Sequence, residues 1–235
     1  MKNLFKRKVL TPEKRVVVEN FFSLSFLQAS DYILPLITLP YLVRILGPEK
    51  FGLIAFAQAF VQYFVILTDY GFNLSATKEI SINREDKAKV SEVFSSVLSI
   101  KLCFLAFSFL ALTGFVFFVP KFRNDWLIYL FTFGTVIGGA LMPIWFFQGM
   151  EKMRYITFLN ISAKLIFTIS IFVFIKDAQD YIYVPLFNSL GFLTAGISGL
   201  WIVRKNFKVR SSRQNFESIK YQLKEGWHIF ISGVS

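Results

Sequence analysis

Apolar residues fall into long runs along this chain, at roughly 21–46, 51–70, 94–119, 126–149, 155–175 and 181–203, separated by short polar stretches. A further run opens near Trp227 and reaches Ser235, where the sequence stops. A helix rising 1.5 Å per residue needs about 20 residues to cross a hydrocarbon core of about 30 Å. Each of the six runs is that long. Backbone amides in lipid must find partners within their own segment, so the runs predict helices. Barrel strands are about ten residues long and alternate strictly, which these runs do not. The pattern predicts an all-α, polytopic integral membrane protein with six complete crossings and the start of a seventh.

The polar stretches between the runs set an orientation. With the N-terminus inside, 19 of the 26 Lys and Arg residues fall on the inner side. They are Lys2, Lys6, Arg7, Lys8, Lys14 and Arg15, then Lys78, Arg84, Lys87 and Lys89, then Lys152 and Arg154. The last group is Arg204, Lys205, Lys208, Arg210, Arg213, Lys220 and Lys224. Only Lys50, Lys121, Arg123 and Lys176 fall outside, and Arg44, Lys101 and Lys164 lie within runs. Cytoplasmic loops carry the excess of Lys and Arg, so the N-terminus is expected in the cytoplasm. The basic start resembles a signal peptide, but the following run is too long for one and no small-residue cleavage site follows. It reads as an uncleaved first span. The domain reading is a basic cytoplasmic N-terminus (1–20), a six-helix lobe (21–203), a basic cytoplasmic linker (204–226) and the opening of a seventh helix (227–235).

The first run holds two prolines, Pro35 and Pro40, and an arginine, Arg44. Prolines kink helices, and kinked spans form hinges and cavities in transporters. Polar residues recur at helical spacing within the runs: Gln28, Asp31 and Pro35; Gln58, Gln62 and Asp69; Lys101 and Ser108; Thr157, Asn160, Lys164 and Thr168; Asn188, Gly191, Ala195 and Ser198. Each set lies on one helix face. A charge at bilayer depth costs about 2.5–3.5 kcal/mol on insertion scales, so such residues face a cavity or a partner. Arg44 and Asp69 lie near span ends and Lys101 roughly two turns in from the cytoplasm, where snorkelling to the headgroups competes as a reading. Lys164 sits mid-span, and Asp31 at mid-depth calls for a cation, a proton or a hydrogen-bonding partner. Gly134 and Gly138 in "GTVIG" fit a close helix contact.

Composition narrows the class further. The chain is 54% hydrophobic, above the 45–50% or so of soluble domains. Its net charge of +11 sits between apolar runs, which speaks for a membrane and against nucleic acid. The single cysteine, Cys103, excludes a disulfide framework within the chain and reads as a core or lipid-facing residue. The one histidine, His228, leaves no His cluster for metal or triad chemistry. No phosphate-cradling glycine loop or acidic metal pair is present, and Glu85 and Asp86 read as part of a solvated interfacial helix. No cofactor is implied, and an enzyme stays possible although nothing in these residues points to one.

Four blocks carry a resemblance: "LPLITLPYLVRILGPEKFGLIAFAQAF" (34–60), "LTDYGFNLSATKEISINR" (67–84), "PIWFFQGMEKMRYIT" (143–157) and "LKEGWHIFIS" (223–232). In content, order and spacing they resemble the Wzx-type oligosaccharide flippases of bacterial polysaccharide export, within the superfamily that includes multidrug exporters. The resemblance implies two lobes of six helices, of which this chain matches the first and the start of the second, with the seventh helix truncated. It implies a bacterial inner-membrane protein that translocates polyprenyl-pyrophosphate-linked oligosaccharide, for O-antigen or a related polysaccharide, by alternating access around a cationic cavity. A polysaccharide polymerase and a chain-length regulator are the further partners it suggests. On that reading Arg44, Lys101 and Lys164, with Asn160, Gln58 and Gln62, bind the anionic head. Asp31 and Asp69 serve as counter-ions or coupling sites, and the prolines bend span one toward the cavity. A cation-coupled multidrug exporter would favour acidic residues in its spans, whereas here Lys and Arg outnumber them. A membrane glycosyltransferase or polymerase would show large outside loops, and these are short.

Overall fold

A computed structural model describes residues 12–209 and 216–234. Residues 1–11 of the basic N-terminus, Arg210, Arg213 and Ser235 lie outside the described residues, as do the side chains of Lys14, Arg15 and His228. Nine α-helices make up the described chain. They are α1 (Pro12–Asp69), α2 (Phe72–Ile82), α3 (Lys87–Phe118), α4 (Pro120–Arg123), α5 (Trp126–Leu141), α6 (Ile144–Gly149), α7 (Met153–Phe174), α8 (Tyr183–Asn206) and α9 (Phe216–Val234). One 3-10 turn, Ala178–Ile182, precedes α8.

Five helical segments are long and apolar enough to cross a membrane, with mean hydropathies of 1.5 to 2.1. The first of them, 67 residues long, takes in the short α2 and the two arms of α1 on either side of Gly47, each arm long enough to cross. Its torsions leave the helical range at Gly47 (φ 74°, ψ 166°), a region essentially open to glycine alone. Pro48 follows, at a first helical position where its missing N–H costs nothing. The helix is continuous through Pro35 and Pro40. The sequence pointed to these prolines for a bend, but the backbone breaks at Gly47, where no side chain obstructs the required torsions.

Contacts along the helices give their relative directions. In the first arm of α1, Asn20, Ser23, Asp31 and Tyr41 bond in turn to Glu151, Thr157, Lys164 and Ile175, so this arm runs parallel to α7. The second arm runs antiparallel to α3, with Phe60 against Phe115 and Asp69 against Lys101. It runs parallel to α5, with Phe60 on Tyr129 and Phe64 on Phe133. Helices α5 and α8 are parallel, with Gly134 facing Ser189, Gly138 facing Phe192 and Pro143 facing Gly199. Helices α7 and α8 are antiparallel, with Phe174 on Phe187 and Tyr155 on Phe207. These relations admit one solution: six successive segments alternate in direction, and Gly47 turns the first arm back into the second.

Aromatic residues fill both ends of the bundle. Phe72, Phe94, Trp145, Phe146 and Phe147 build the core at the lysine-rich end, and Phe64, Phe122, Tyr129 and Phe133 build the core further out. Asp86 caps α3, its carboxylate accepting from the backbone N–H groups of Ala88 and Lys89, so the Glu85–Asp86 pair belongs to a capped turn and not to an interfacial helix. The amphipathic surface helix is α2, which buries Phe72, Ser75, Ala76 and Ile80 on one face. Helix α9 begins at Phe216, within the stretch read as linker, and packs Ser218 against α3, Gln222 against α2 and Gly226 against Tyr70 between α1 and α2.

Candidate functional site: two intramembrane ion pairs

Span depth follows from the seam between the first arm and α7. Asn20 donates its side-chain amide to the Glu151 carbonyl at 3.3 Å, and the Tyr41 hydroxyl donates to the Ile175 carbonyl at 2.8 Å. These contacts are 21 residues apart on the arm, about 31 Å of helix, which matches a hydrocarbon core. Asp31 lies near the middle of that distance and forms an ion pair with Lys164. The Lys164 side chain is 28% exposed and that of Asp31 45%, so the pair sits on an open flank of the bundle and not in its core.

A second pair lies closer to the lysine-rich end. Lys101 Nζ donates to Asp69 Oδ1 at 2.8 Å, and Asn73 Nδ2 donates to the other carboxylate oxygen at 3.2 Å. The Lys101 side chain is 2% exposed. Burial that complete suits a cation only when its charge is matched, and Asp69 supplies the match. The depth difference between the pairs can be read across the bundle. Ala163 meets Gly191, Ser189 meets Gly134, and Phe133 meets Phe109, so Lys164 is level with about Phe109 of α3. Lys101 lies eight residues from Phe109, about 12 Å nearer the lysine-rich end.

The other candidates stand apart from these pairs. Arg44 is exposed near the Gly47 turn, 13 residues beyond Asp31, about 20 Å along the arm. The three cations Arg44, Lys164 and Lys101 therefore occupy three depths. Gln58 and Gln62 are exposed on the second arm. Asn160, one turn from Lys164, donates to the carbonyl of Ile156 in its own helix at 3.1 Å. Cys103 is exposed on α3.

The polar stripe of α7 serves the first arm directly. The Thr157 hydroxyl donates to the Ser23 carbonyl at 2.9 Å, and the backbone N–H of Met153 donates to Asn20 Oδ1 at 3.3 Å. With the Lys164–Asp31 pair and Tyr41, these contacts stitch the seam along its length, in the manner of polar side chains between membrane helices. Asn20 and Tyr41 are functional in this sense, although no stripe in the sequence marked them. Both sit near the ends of an otherwise apolar arm, and only the partner helix reveals their role.

Three of the conspicuous sequence blocks converge at the lysine-rich end. The Thr77 hydroxyl donates to the Trp145 carbonyl at 3.1 Å, Ile80 packs on Gly149, and Arg84 Nη2 donates to Glu151 Oε1 at 2.9 Å. Gln222 donates to the Glu79 carboxylate, and a Cβ on Gly226 would lie 2.8 Å from Tyr70. Among the described residues no group of His, Cys, Asp and Glu could hold a metal ion.

Six alternating apolar segments with paired charges at bilayer depth define an all-α, polytopic membrane protein. The family described as polysaccharide biosynthesis protein matches residues 17–235, and the chain belongs to it. The chain is 34% identical over 213 residues to a protein of Escherichia coli strain K12 named "Putative O-antigen transporter", covering 91% of this chain and 51% of that protein. A protein of Shigella dysenteriae with the same name is 30% identical over 216 residues, covering 91% of this chain and 54% of the relative. The chain thus spans about half the length of the curated relatives it matches. No solved structure matches it.

Proposed function

We propose that this chain forms one six-helix lobe of a transporter that flips polyprenyl-pyrophosphate-linked oligosaccharide across the bacterial inner membrane. The proposal places the N-terminus in the cytoplasm and the product in O-antigen or a related surface polysaccharide. The observation that carries it is the Asp31–Lys164 pair, placed at mid-depth on an open flank of a chain in this family. A purely structural pair would be expected to be closed over by neighbouring helices, since an exposed charge at that depth is costly. An open one suits a cation that meets an anionic substrate when a second lobe rocks against the first, as in alternating access. Asp31 then holds Lys164 in place between transport cycles. Lys101, buried, and its half-buried partner Asp69 lie closer to the cytoplasm and keep the second arm and α3 in register. A polysaccharide polymerase and a chain-length regulator are the proposed partners that receive the flipped unit.

Deletion of the full-length gene tests the reading. The expected result is loss of surface polysaccharide with accumulation of lipid-linked repeat units on the cytoplasmic leaflet, restored by the gene supplied in trans. Loss of polysaccharide without such accumulation would place the defect upstream of translocation and refute the flippase.

A further inference from the structure

A pocket of about 290 Å³ opens at the lysine-rich end, between the start of α3 and the end of α8. Its lining combines the exposed Lys87 and Lys208 and the half-buried Arg84, which we take as its rim, with the apolar Val90, Phe146 and Phe207, which we take as its floor. Ordinary small-molecule pockets run about 300–1,000 Å³, so this one suits a headgroup and is too small for an oligosaccharide. A cationic rim over an apolar floor complements an amphiphile whose anionic head adjoins hydrocarbon.

Two features mark the rim as more than a solvated charge cluster. Arg84 gives Nη2 to Glu151, while its Nε is buried with no hydrogen-bond partner among the described residues. The pairing with Glu151 offsets one cation and leaves Lys87 and Lys208 to set the sign of the rim. Lys208 itself follows the C-cap of α8 with φ 56°. That left-handed position after a helix end ordinarily takes glycine. A lysine there sacrifices backbone ease, and Lys208 is among the residues that line the pocket.

We propose that this pocket binds the phosphate of an anionic phospholipid, with the headgroup on Arg84, Lys87 and Lys208 and the glycerol and upper acyl chain on the apolar floor. Basic pockets between membrane helices bind such headgroups. The site is independent of the transported substrate. It ties α3 and α8, the helices that begin and end at this face, to the membrane surface.

The test uses the full-length protein in detergent micelles, titrated with dihexanoyl phosphatidylglycerol, dihexanoyl phosphatidylcholine or inorganic phosphate at matched ionic strength. Binding is read by thermal shift and by native mass spectrometry. Phosphatidylglycerol is expected to bind and stabilise, while phosphatidylcholine and phosphate do neither. Lys87→Gln and Lys208→Gln should each weaken binding about fivefold, equivalent to about 1 kcal/mol per cation. Lys121→Gln at the opposite end should leave it unchanged. Lys208→Gly separates the roles: it should weaken lipid binding while the melting temperature without lipid holds or rises. Equal response to phosphatidylcholine, or unchanged binding in the Lys87 and Lys208 variants, overturns the site. An equal response to inorganic phosphate reduces it to a free-anion site and overturns the lipid.

Discussion

Gly138 faces α8 so closely that a single methyl group has no room. A Cβ built there would lie 2.4 Å from the carbonyl carbon of Phe192, 2.6 Å from its oxygen and 2.7 Å from the Leu193 nitrogen. All three are backbone atoms, so no side-chain rotation relieves the clash. Restoring an ordinary contact requires α5 and α8 to part by about 1 Å, and overpacking of this kind costs about 1–3 kcal/mol. The neighbouring Gly139 is the internal control, because a Cβ there meets nothing within 4 Å. Both substitutions gain the same helix propensity, about 1 kcal/mol in a helix interior. Gly139→Ala should therefore be neutral or stabilising, and Gly138→Ala should sit about 1–3 kcal/mol below it. Unfolding of the purified protein in mixed micelles with increasing sodium dodecyl sulfate measures the difference. If Gly138→Ala unfolds at the same detergent fraction as Gly139→Ala, the close α5–α8 packing is refuted.

Reporter fusions should be active outside the cytoplasm at Arg123 and Asp180 and inside it at Lys87 and Lys205; the reverse pattern overturns the orientation. Asp69→Ala leaves the Lys101 ammonium buried without its carboxylate, and Asp69 is 35% exposed, so the loss should fall toward the lower end of about 3–5 kcal/mol. It should appear as depleted protein in membrane fractions, with Lys101→Met in the same chain restoring the level; depletion that persists in the double variant would sink the pairing argument. Gly47→Ala meets no atom within 4 Å, so its cost is the backbone torsion alone, of order 1–3 kcal/mol. Pro40→Ala should cost less than Gly47→Ala in the same unfolding assay, and the opposite order would return the bend to the proline.

The crossings were legible because lipid imposes a single demand, about 20 apolar residues with internally satisfied amides, and each run met it. The Gly134–Gly138 contact was legible for a related reason: small residues a turn apart mark where backbones approach. The turn at Gly47 was not, because two nearby prolines carry the louder signal for a bend while the required torsion needs only a glycine. Nor could the sequence pair Asp31 with Lys164 or Asp69 with Lys101. Helix periodicity places each on a face, but which faces meet depends on how six helices are arranged. The same limit hid Asn20 and Tyr41, whose partners lie more than 130 residues away. It also hid the packing of α9, since Gln222 and Ser218 read as linker until Glu79 and Ser96 are seen beside them.

The most direct test removes the mid-depth charges together. An apolar residue on an open flank at mid-depth costs less than a charge there, so Lys164→Met with Asp31→Leu in the full-length protein should keep the bundle intact. The measurement is surface polysaccharide in a null strain, beside the protein level in the membrane. Wild-type protein level with polysaccharide abolished is expected, because the cation that meets the anionic head is gone. Wild-type polysaccharide from the doubly substituted protein would contradict that role and leave the Asp31–Lys164 pair as a structural stitch between two helices.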